Sequence, residues 1–259
     1  MSEESSNQTE VKIITINIET PDGNLPPANV KVPNVPMKLA NLTQPMQQLC
    51  SGIVGLAIKR EMVLGSTISC HKGCGVCCCQ LVPLSALEVF FLYSYMKSLP
   101  PERKSEIESR FKTIRNAMES VGLIERLLKL EDTKEHKILA LDYFKLGTSC
   151  PFLEDGACGI HPIRPFACRE YNVISPPELC ADPFNNKILR IKISRNMTTA
   201  TAMLASELCD IPPMLIPMPL FMEWAEQNEH IGRMAWNGIW LFEKMLEYAT
   251  GASVDDERE

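Results

Sequence analysis

Hydrophobic residues recur every three to four positions over most of this chain, which is the spacing of amphipathic helices. In the charged stretch 102–120, this spacing puts Ile107, Phe111 and Ile114 on one side, where they can face a core. Gly147 follows the last apolar position of a later stretch and is suited to end a helix. The pattern predicts helices over residues 45–62, from Pro83 to before Pro100, over 102–120, 123–130 and 135–147, and two or three more within 197–208, 219–228 and 229–249.

The region before the first predicted helix shows a different pattern, in which apolar and polar residues alternate. In "IITINIET", Ile14, Ile16 and Ile18 alternate with polar residues, as in a strand with one buried face. The turn residues "PDGN" follow, and "ANVKVP" provides a second strand that Pro33 ends. We therefore predict a small N-terminal β-hairpin, and one further strand at "KILRIKIS", residues 187–194.

Residues 148–186 fit neither pattern. They contain six prolines and four cysteines, and proline interrupts both helices and strands. Backbone ladders cannot fix such a segment, whereas a bound metal can. The predicted fold class is mainly α with a small N-terminal β-hairpin and an irregular, proline-rich, metal-organised segment between helices. The predicted divisions are a polar tail and hairpin over residues 1–40, a helical cysteine-cluster domain over 41–250 and a disordered tail over 251–259.

Composition indicates a globular protein and limits its partners. The 259 residues are 45% hydrophobic and 22% charged, and 26 lysines and arginines against 32 acids give a net charge of −6. A negative chain does not favour nucleic acid or an anionic membrane, so neither is an expected partner. The polar start "MSEESSNQTE" lacks the features of a signal peptide, and no apolar run long enough to span a membrane occurs. We therefore expect a cytoplasmic protein.

Eleven cysteines are the most unusual feature of the sequence. In a reducing compartment they suit metal binding better than disulfides, and their odd number agrees with this. The stretch "CHKGCGVCCC", residues 70–79, holds five of them. Eight cysteines in two groups are the predicted metal ligands: Cys70, Cys74, Cys77 and Cys78 in the first group, and Cys150, Cys158, Cys168 and Cys180 in the second.

The spacing leaves more than one metal arrangement open. Two adjacent thiolates are hard to place on one ion, so Cys77 and Cys78 indicate either two neighbouring centres or one centre with a spare thiol. Cys79 adds a third adjacent thiol. The compact first group resembles a zinc site, whereas the irregular spacing of the second group favours an iron–sulfur cluster, which is the preferred interpretation.

Two arginines flank one of the second-group cysteines. In the motif Arg164-Pro165-x-x-Cys168-Arg169, the guanidiniums of Arg164 and Arg169 would offset the negative charge of a cluster or bind an anionic cofactor. The alternative is a pair of ordinary surface arginines.

Four further residues near or between the groups are not expected to be ligands. His161 is interpreted as a packed ring and His71 as an exposed side chain. Cys50 and Cys209 stand alone in apolar helical surroundings, which is typical of small buried core residues.

The two cysteine blocks together resemble the cysteine-cluster family named after the motif CxxCxxCC, whose members are described as zinc- or iron-chelating. The matching stretches are "CHKGCGVCCCQLVPLSALEV" and "CPFLEDGACGIHPIRPFACREY". One inserted residue in the first spacing and the third consecutive cysteine depart from the motif. The family is similar to flagellin lysine N-methylase, which implies a cluster beside an S-adenosylmethionine site and a protein lysine as the methyl acceptor.

Three classes of function follow from these residues. A redox or methyl-transfer enzyme needs an open coordination position, a structural zinc protein has all its ligands closed, and a metal-handling module would use Cys79. The spacing Cys70-x3-Cys74-x2-Cys77 also matches radical S-adenosylmethionine enzymes, but these resemble a β/α barrel and no alternation of strands and helices follows here. The preferred function is a [4Fe–4S] iron–sulfur protein, and the alternative is a structural zinc-binding or metal-handling protein.

Overall fold

The computed structural model describes residues 10–129 and 135–251, and these form a mainly α-helical chain. The remainder of the two predicted tails, residues 1–9 and 252–259, lies outside the described residues. The helices are α1 (Thr43–Val63), α2 (Ala86–Ser98), α3 (Pro101–Ser120), α4 (Leu123–Leu128), α5 (Glu135–Lys145), α6 (Phe166–Glu170), α7 (Met197–Cys209), α8 (Phe221–Gln227), α9 (Glu229–Arg233) and α10 (Gly238–Thr250). The strands are β1 (Val11–Ile16), β2 (Glu19–Thr20), β3 (Gly23–Asn24), β4 (Ala28–Pro33), β5 (Pro36–Lys38), β6 (Pro83–Leu84), β7 (Leu153–Glu154), β8 (Ala157–Cys158), β9 (Ile216–Pro217) and β10 (Ala235–Asn237).

The N-terminal hairpin is present as predicted. Strands β1 and β4 pair antiparallel, from Val11 opposite Pro33 to Ile16 opposite Ala28. Ile18, just beyond β1, is 5% exposed, so the alternating pattern does turn its apolar side toward the core.

A large hydrophobic core joins α1, α2, α7, α8 and α10. Helix α3 turns its predicted face inward, where Ile107 and Phe111 join this core. Ile114 and Met118 of the same face join a smaller cluster with residues of α4 and α5. The helical periodicity of the sequence therefore predicted the buried side of α3 correctly.

Pairing between distant segments changes two predicted helices. The helix expected from Pro83 begins at Ala86, because β6 in front of it pairs with β9. The helix expected over residues 229–249 is divided into α9 and α10, because β10 between them pairs with β5. Asn237 then caps α10, and its side-chain oxygen accepts hydrogen bonds from two backbone N–H groups of the first turn. Periodicity does not report such pairings, since it shows only which faces are apolar.

The strand expected over residues 187–194 was wrong. In the described residues this segment makes an isolated bridge, between Arg190 and Val173. The segment around Val173 lies between α6 and Pro176, so a ladder has no room to extend beyond this bridge.

Residues 148–186 contain only short elements, as their prolines predict. They include the hairpin β7–β8, helix α6 and two 3-10 helices at His161–Ile163 and Pro177–Ala181. That a metal organises this segment stays a prediction. No helix in the described ranges has both the length and the apolar character needed to cross a bilayer.

Candidate metal centre

The two predicted cysteine groups meet in the structure. The first group lies in the loop between α1 and β6, and the second lies in the proline-rich segment. The backbone N–H of Cys150 donates a hydrogen bond of 2.6 Å to the carbonyl oxygen of Cys78. This bond joins two distant parts of the chain directly at their cysteines.

Gly75 allows the first loop to approach the second segment closely. A Cβ atom at this position would lie 2.6 Å from the carbonyl oxygen of Gly156 and 2.6 Å from Cδ1 of Leu153, both in the β7–β8 hairpin. A larger residue would therefore push the hairpin away from the loop. Gly73, with a φ of +91°, supplies a left-handed turn next to Cys74.

Cys70 lies against the segment that follows α6. Its Sγ accepts a hydrogen bond of 3.4 Å from the backbone N–H of Val173, and the N–H of Ser69 donates to the carbonyl oxygen of Val173 at 2.9 Å. Burial raises the pKa of Cys70, this hydrogen bond opposes the rise, and the negative charges of Cys77 and Cys74 add to it. Cys70 therefore shares one electrostatic surrounding with Cys74 and Cys77.

Cys180 of the second group belongs to the same surrounding. Burial raises the pKa of its thiol, and the charges of Cys77, Cys70 and Cys74 raise it as well. A hydrogen bond with the Tyr171 side chain acts in the opposite direction.

The remaining second-group cysteines form another neighbourhood with Cys77. Burial raises the pKa of Cys168 well above its ordinary value, and the negative charges of Cys150, Cys77 and Cys158 raise it further. Burial also raises the pKa of Cys150 to about 12, with added contributions from Cys158 and Cys77. The pKa of Cys158 is raised by burial and by the charge of Cys77. Each of these four thiols is thus within electrostatic reach of the other three, and Cys77 is also within reach of Cys70 and Cys180.

The adjacent thiols of Cys77 and Cys78 hydrogen-bond each other. This bond lowers the pKa of Cys77 to about 7, helped by the positive charge of Arg164, and it raises the pKa of Cys78. The charges of Cys150 and Cys168 raise the pKa of Cys78 as well. Cys77 is therefore the more easily deprotonated thiol of the pair, which suits a metal ligand.

The thiols are neighbours but do not converge on one point. All eleven cysteines are free thiols. Within residues 10–129 and 135–251, no three His, Cys, Asp or Glu side chains lie close enough together to hold a metal ion as they stand. The donors fit zinc or iron in kind, because both metals bind cysteine thiolates. Binding would require the thiols to move toward one another.

The two arginines that flank Cys168 have different surroundings. The guanidinium of Arg169 donates to the carbonyl oxygens of Arg164 and Pro162 and to a hydroxyl of α1, so it holds the turn before α6. The side chain of Arg164 makes no hydrogen bond or ion pair with any residue in the described ranges. Its positive charge nevertheless lowers the pKa of Cys77 and opposes the rise in that of Cys168.

Two buried polar side chains that the sequence analysis missed hold α6 in position. Glu88 of α2 is 1% exposed, and its carboxylate accepts hydrogen bonds from the N–H of Phe166 at 2.7 Å and from the N–H of Ser85 at 2.8 Å. Gln47 of α1 donates to two carbonyl oxygens of the turn before α6. The Ser-x-x-Glu spacing of a capping box could have identified Glu88, whereas no local signal marks Gln47.

The cysteines and histidines that were not predicted to be ligands differ in their burial. Cys50 and Cys209 are 0% and 8% exposed within the core, which confirms that they are buried. His71 is exposed, and His161 is half-buried near the two arginines. The thiol of Cys79 donates to a carbonyl oxygen of its own loop at 3.3 Å.

A cavity of about 1100 Å³ opens beside the cysteines. Cys77 of the first group and Cys168 of the second group both line it. Its other walls come from the end of α1, from residues 188–193 and from the start of α7. A molecule in this cavity would reach thiols of both groups.

Several cysteine thiols brought together from two segments are typical of cysteine-ligated metal-binding domains. Residues 69–191, just under half of the chain, match the model of the CxxCxxCC family, whose description is "Putative zinc- or iron-chelating domain". The predicted resemblance to the CxxCxxCC family is therefore confirmed over this segment of the chain. The match supports metal binding by the cysteines, and it contains all eight predicted ligands. No curated protein and no solved structure gives a significant match to the chain.

Proposed function

We propose that this protein binds iron–sulfur clusters at two neighbouring centres, each held by four cysteines. Each centre takes ligands from both cysteine groups. The observation that carries the proposal is the direct contact between the groups, in which the N–H of Cys150 bonds the carbonyl oxygen of Cys78. The ligands are Cys78, Cys150, Cys158 and Cys168 at the first centre, and Cys70, Cys74, Cys77 and Cys180 at the second.

Contacts around Cys78 support the first centre. The hydrogen bond from Cys150 holds these two residues side by side, and the hairpin β7–β8 returns Cys158 to the same region. Cys168 in α6 completes the set, because its thiol lies within electrostatic reach of Cys150 and Cys158.

Contacts around Tyr171 support the second centre. The thiol of Cys70 lies 3.9 Å from the carbonyl oxygen of Tyr171, and the side chain of Tyr171 hydrogen-bonds Cys180. Assigning Cys77 to this centre and Cys78 to the other removes the difficulty of placing two adjacent thiolates on one ion. Cys79 remains as the spare thiol.

Four thiolates suit zinc as well as a [4Fe–4S] cluster, so the choice of metal needs a further argument. The irregular spacing of the second group and the unengaged guanidinium of Arg164 both favour iron–sulfur, because a nearby cation stabilises an electron-rich cluster. Two closed zinc sites that only hold the proline-rich segment are the second candidate.

The cavity at Cys77 and Cys168 favours a centre that takes part in a reaction over a closed structural one. Electron transfer through the clusters is the first activity that we propose. The second, drawn from the resemblance to flagellin lysine N-methylase, is S-adenosylmethionine-dependent methylation of a protein lysine. S-adenosylmethionine would supply the methyl group in that reaction, and the lysine amine would receive it. We also propose a cytoplasmic location, where thiolate ligands stay reduced.

Anaerobic purification of the full chain, with assays of iron, acid-labile sulfide and zinc, tests the metal proposal. Two [4Fe–4S] centres give about eight irons and about eight sulfides per chain, with a broad brown absorbance. Half of that iron would refute the two-centre arrangement. About two zincs in a colourless solution would instead establish the structural zinc sites.

A further inference from the structure

Some charged side chains around the cavity have hydrogen-bond or ion-pair partners, whereas others form no ion pair. The carboxylate of Glu170 accepts hydrogen bonds from the first residues of α7, and Glu61 pairs with Arg60. Arg190 and Lys192 also line the cavity, and neither makes an ion pair with any residue that the structure describes. Two cations of the cavity therefore have no carboxylate partner among the described residues.

The rim of the cavity is apolar and exposed. Leu64 at the end of α1 is 71% exposed, Leu189 is 45% exposed and Leu215 is 39% exposed, and all three line the cavity. They come from three separate parts of the chain, so their meeting at one rim is a property of the fold. Large apolar side chains exposed together in this way are typical of a binding site.

The inner wall combines an aromatic ring with thiols. The ring of Tyr171 lies 5.7 Å from the guanidinium of Arg190, and Cys77 and Cys168 line the same cavity. The volume of about 1100 Å³ is slightly above the usual range for small-molecule sites, so a small organic molecule has room in it.

We propose that this cavity binds an organic anion with an apolar or aromatic body. Its charged group would lie near Arg190 and Lys192, and its body would cover the leucine-lined rim and the Tyr171 ring. The chain as a whole carries a net charge of −6, so an anion needs this local positive charge in order to bind. The contact of the ligand with a metal centre at Cys77 rests on the proposed function, whereas the binding of the anion does not.

Calorimetric titration of the purified, metal-loaded chain with anilinonaphthalene sulfonate tests the inference, because this probe joins an aromatic body to a fixed negative charge. We expect one site per chain, weakened by added salt. Arg190→Gln should weaken binding roughly fivefold. Lys187→Gln is the matched control. It removes the same charge three residues earlier in the chain, and Lys187 does not line the cavity, so this variant should leave binding unchanged.

A second pair of variants tests the apolar rim. Leu64→Gln should weaken binding roughly threefold or more, because apolar contact with the probe is lost. Val63→Gln changes the neighbouring residue, which is 87% exposed and does not line the cavity, and it should have no effect. Inorganic sulfate, which lacks an apolar body, should not compete with the probe.

Several outcomes would overturn the inference. These are no binding, displacement by sulfate, or equal affinity in the variants and their controls. Metal and sulfide are assayed in the same samples, so the two proposals can fail separately. Metal-loaded chain that does not bind the probe contradicts only the anion site. A chain that is found to contain no metal after anaerobic purification, but binds the probe at this site, contradicts only the metal centres.

Discussion

Cys168 and Cys180 belong to different proposed centres, although both come from the second cysteine group. Replacing either one by serine should remove about half of the bound iron, because each change takes one of the four ligands from one centre only. The measurement is iron and sulfide per chain after anaerobic purification.

Cys209→Ser is the control for both changes, since Cys209 is buried in the core. It should keep the full metal content. If Cys168→Ser and Cys180→Ser each lost all the iron, one shared centre would replace the two.

Arg164 and Arg169 should differ in their effects although both flank Cys168. Arg164→Gln removes an unengaged positive charge near the thiols, so it should lower the reduction potential of the nearby cluster by about 40 mV, which corresponds to about 1 kcal/mol. The potential is measured by redox titration of the visible spectrum.

Arg169→Gln provides the comparison for this prediction. Its guanidinium holds backbone carbonyls of the turn before α6, so the variant should lower the melting temperature. Equal potentials in the Arg164→Gln variant and the unaltered protein would show that Arg164 does not tune a cluster.

At the scale of elements, α6 is held by Glu88 from the neighbouring helix α2. The carboxylate joins the start of α2 to the start of α6, which carries Cys168. Glu88→Ala should lower the free energy of unfolding by about 2 to 4 kcal/mol, because two buried N–H groups lose their acceptor. Urea unfolding measures this loss, and Glu119→Ala on the exposed side of α3 is the control.

Glu88 should also make stability depend on pH. Burial raises its pKa in the folded protein to about 7, above the ordinary value of 4.5. The folded state therefore keeps a proton that the unfolded state releases, so this group stabilises the protein below about pH 4.5 and loses that contribution as pH rises through about 7.

The variant Glu88→Gln removes this titration while keeping a side-chain oxygen. Between about pH 5 and about pH 8, the unaltered protein should lose more free energy of unfolding than the Glu88→Gln variant does. The comparison is made by urea unfolding at matched metal content. Parallel curves for the two proteins would contradict the raised pKa.

Patterns in the sequence predicted the elements that depend on interactions between residues close together in the chain. The face of α3 with Ile107 and Phe111 follows from a helical period, and the hairpin β1–β4 follows from alternation and a turn. The division of the last helix did not follow, because β10 leaves helical geometry only to pair with the distant strand β5. The strand predicted over residues 187–194 is absent for a related reason. Strand formation depends on a partner segment, and the partner here makes only one bridge, between Val173 and Arg190.

For the candidate site too, the sequence predicted the residues but not the contacts between distant segments. Residue type and spacing predicted which cysteines are candidate metal ligands. Cys50 and Cys209 are not among them, and both are buried in the core as predicted. The hydrogen bond between Cys150 and Cys78 could not be predicted, because it joins two segments that are distant in the sequence. The capping-box spacing could have identified Glu88 as the partner of Ser85, but its contact with α6 could not be predicted, because Phe166 is distant in the sequence.

At the scale of the whole molecule, residues 148–186 join the apolar core only through a few side chains such as Phe152, Ile160 and Phe166, and the proposed metal centres should stabilise the rest of this segment. Helices α1, α2, α7, α8 and α10 share a large core, whereas residues 148–186 contain only short elements. Removing the metal with a chelator under reducing conditions should therefore lower the melting temperature by about 10 °C or more, because metal binding is coupled to folding.

Limited proteolysis of the metal-free protein should show where the loss occurs. New cleavage is expected within residues 148–186, while the helical core keeps its circular dichroism. A melting temperature unchanged by metal removal would mean that the segment is ordered without metal.

The contact between Cys78 and Cys150 also constrains the order of events during synthesis. Each proposed centre needs cysteines from both ends of the interval between residues 70 and 180, so neither can be complete when the first loop leaves the ribosome. At the usual rates of elongation, the second group follows after roughly 5 to 20 seconds. During that time the thiols of the first loop lack the second-group cysteines that complete each proposed centre. If the two proposed centres exist, their loading is a late step, and a shortage of metal would leave chains whose helical core has formed beside empty, oxidisable thiols.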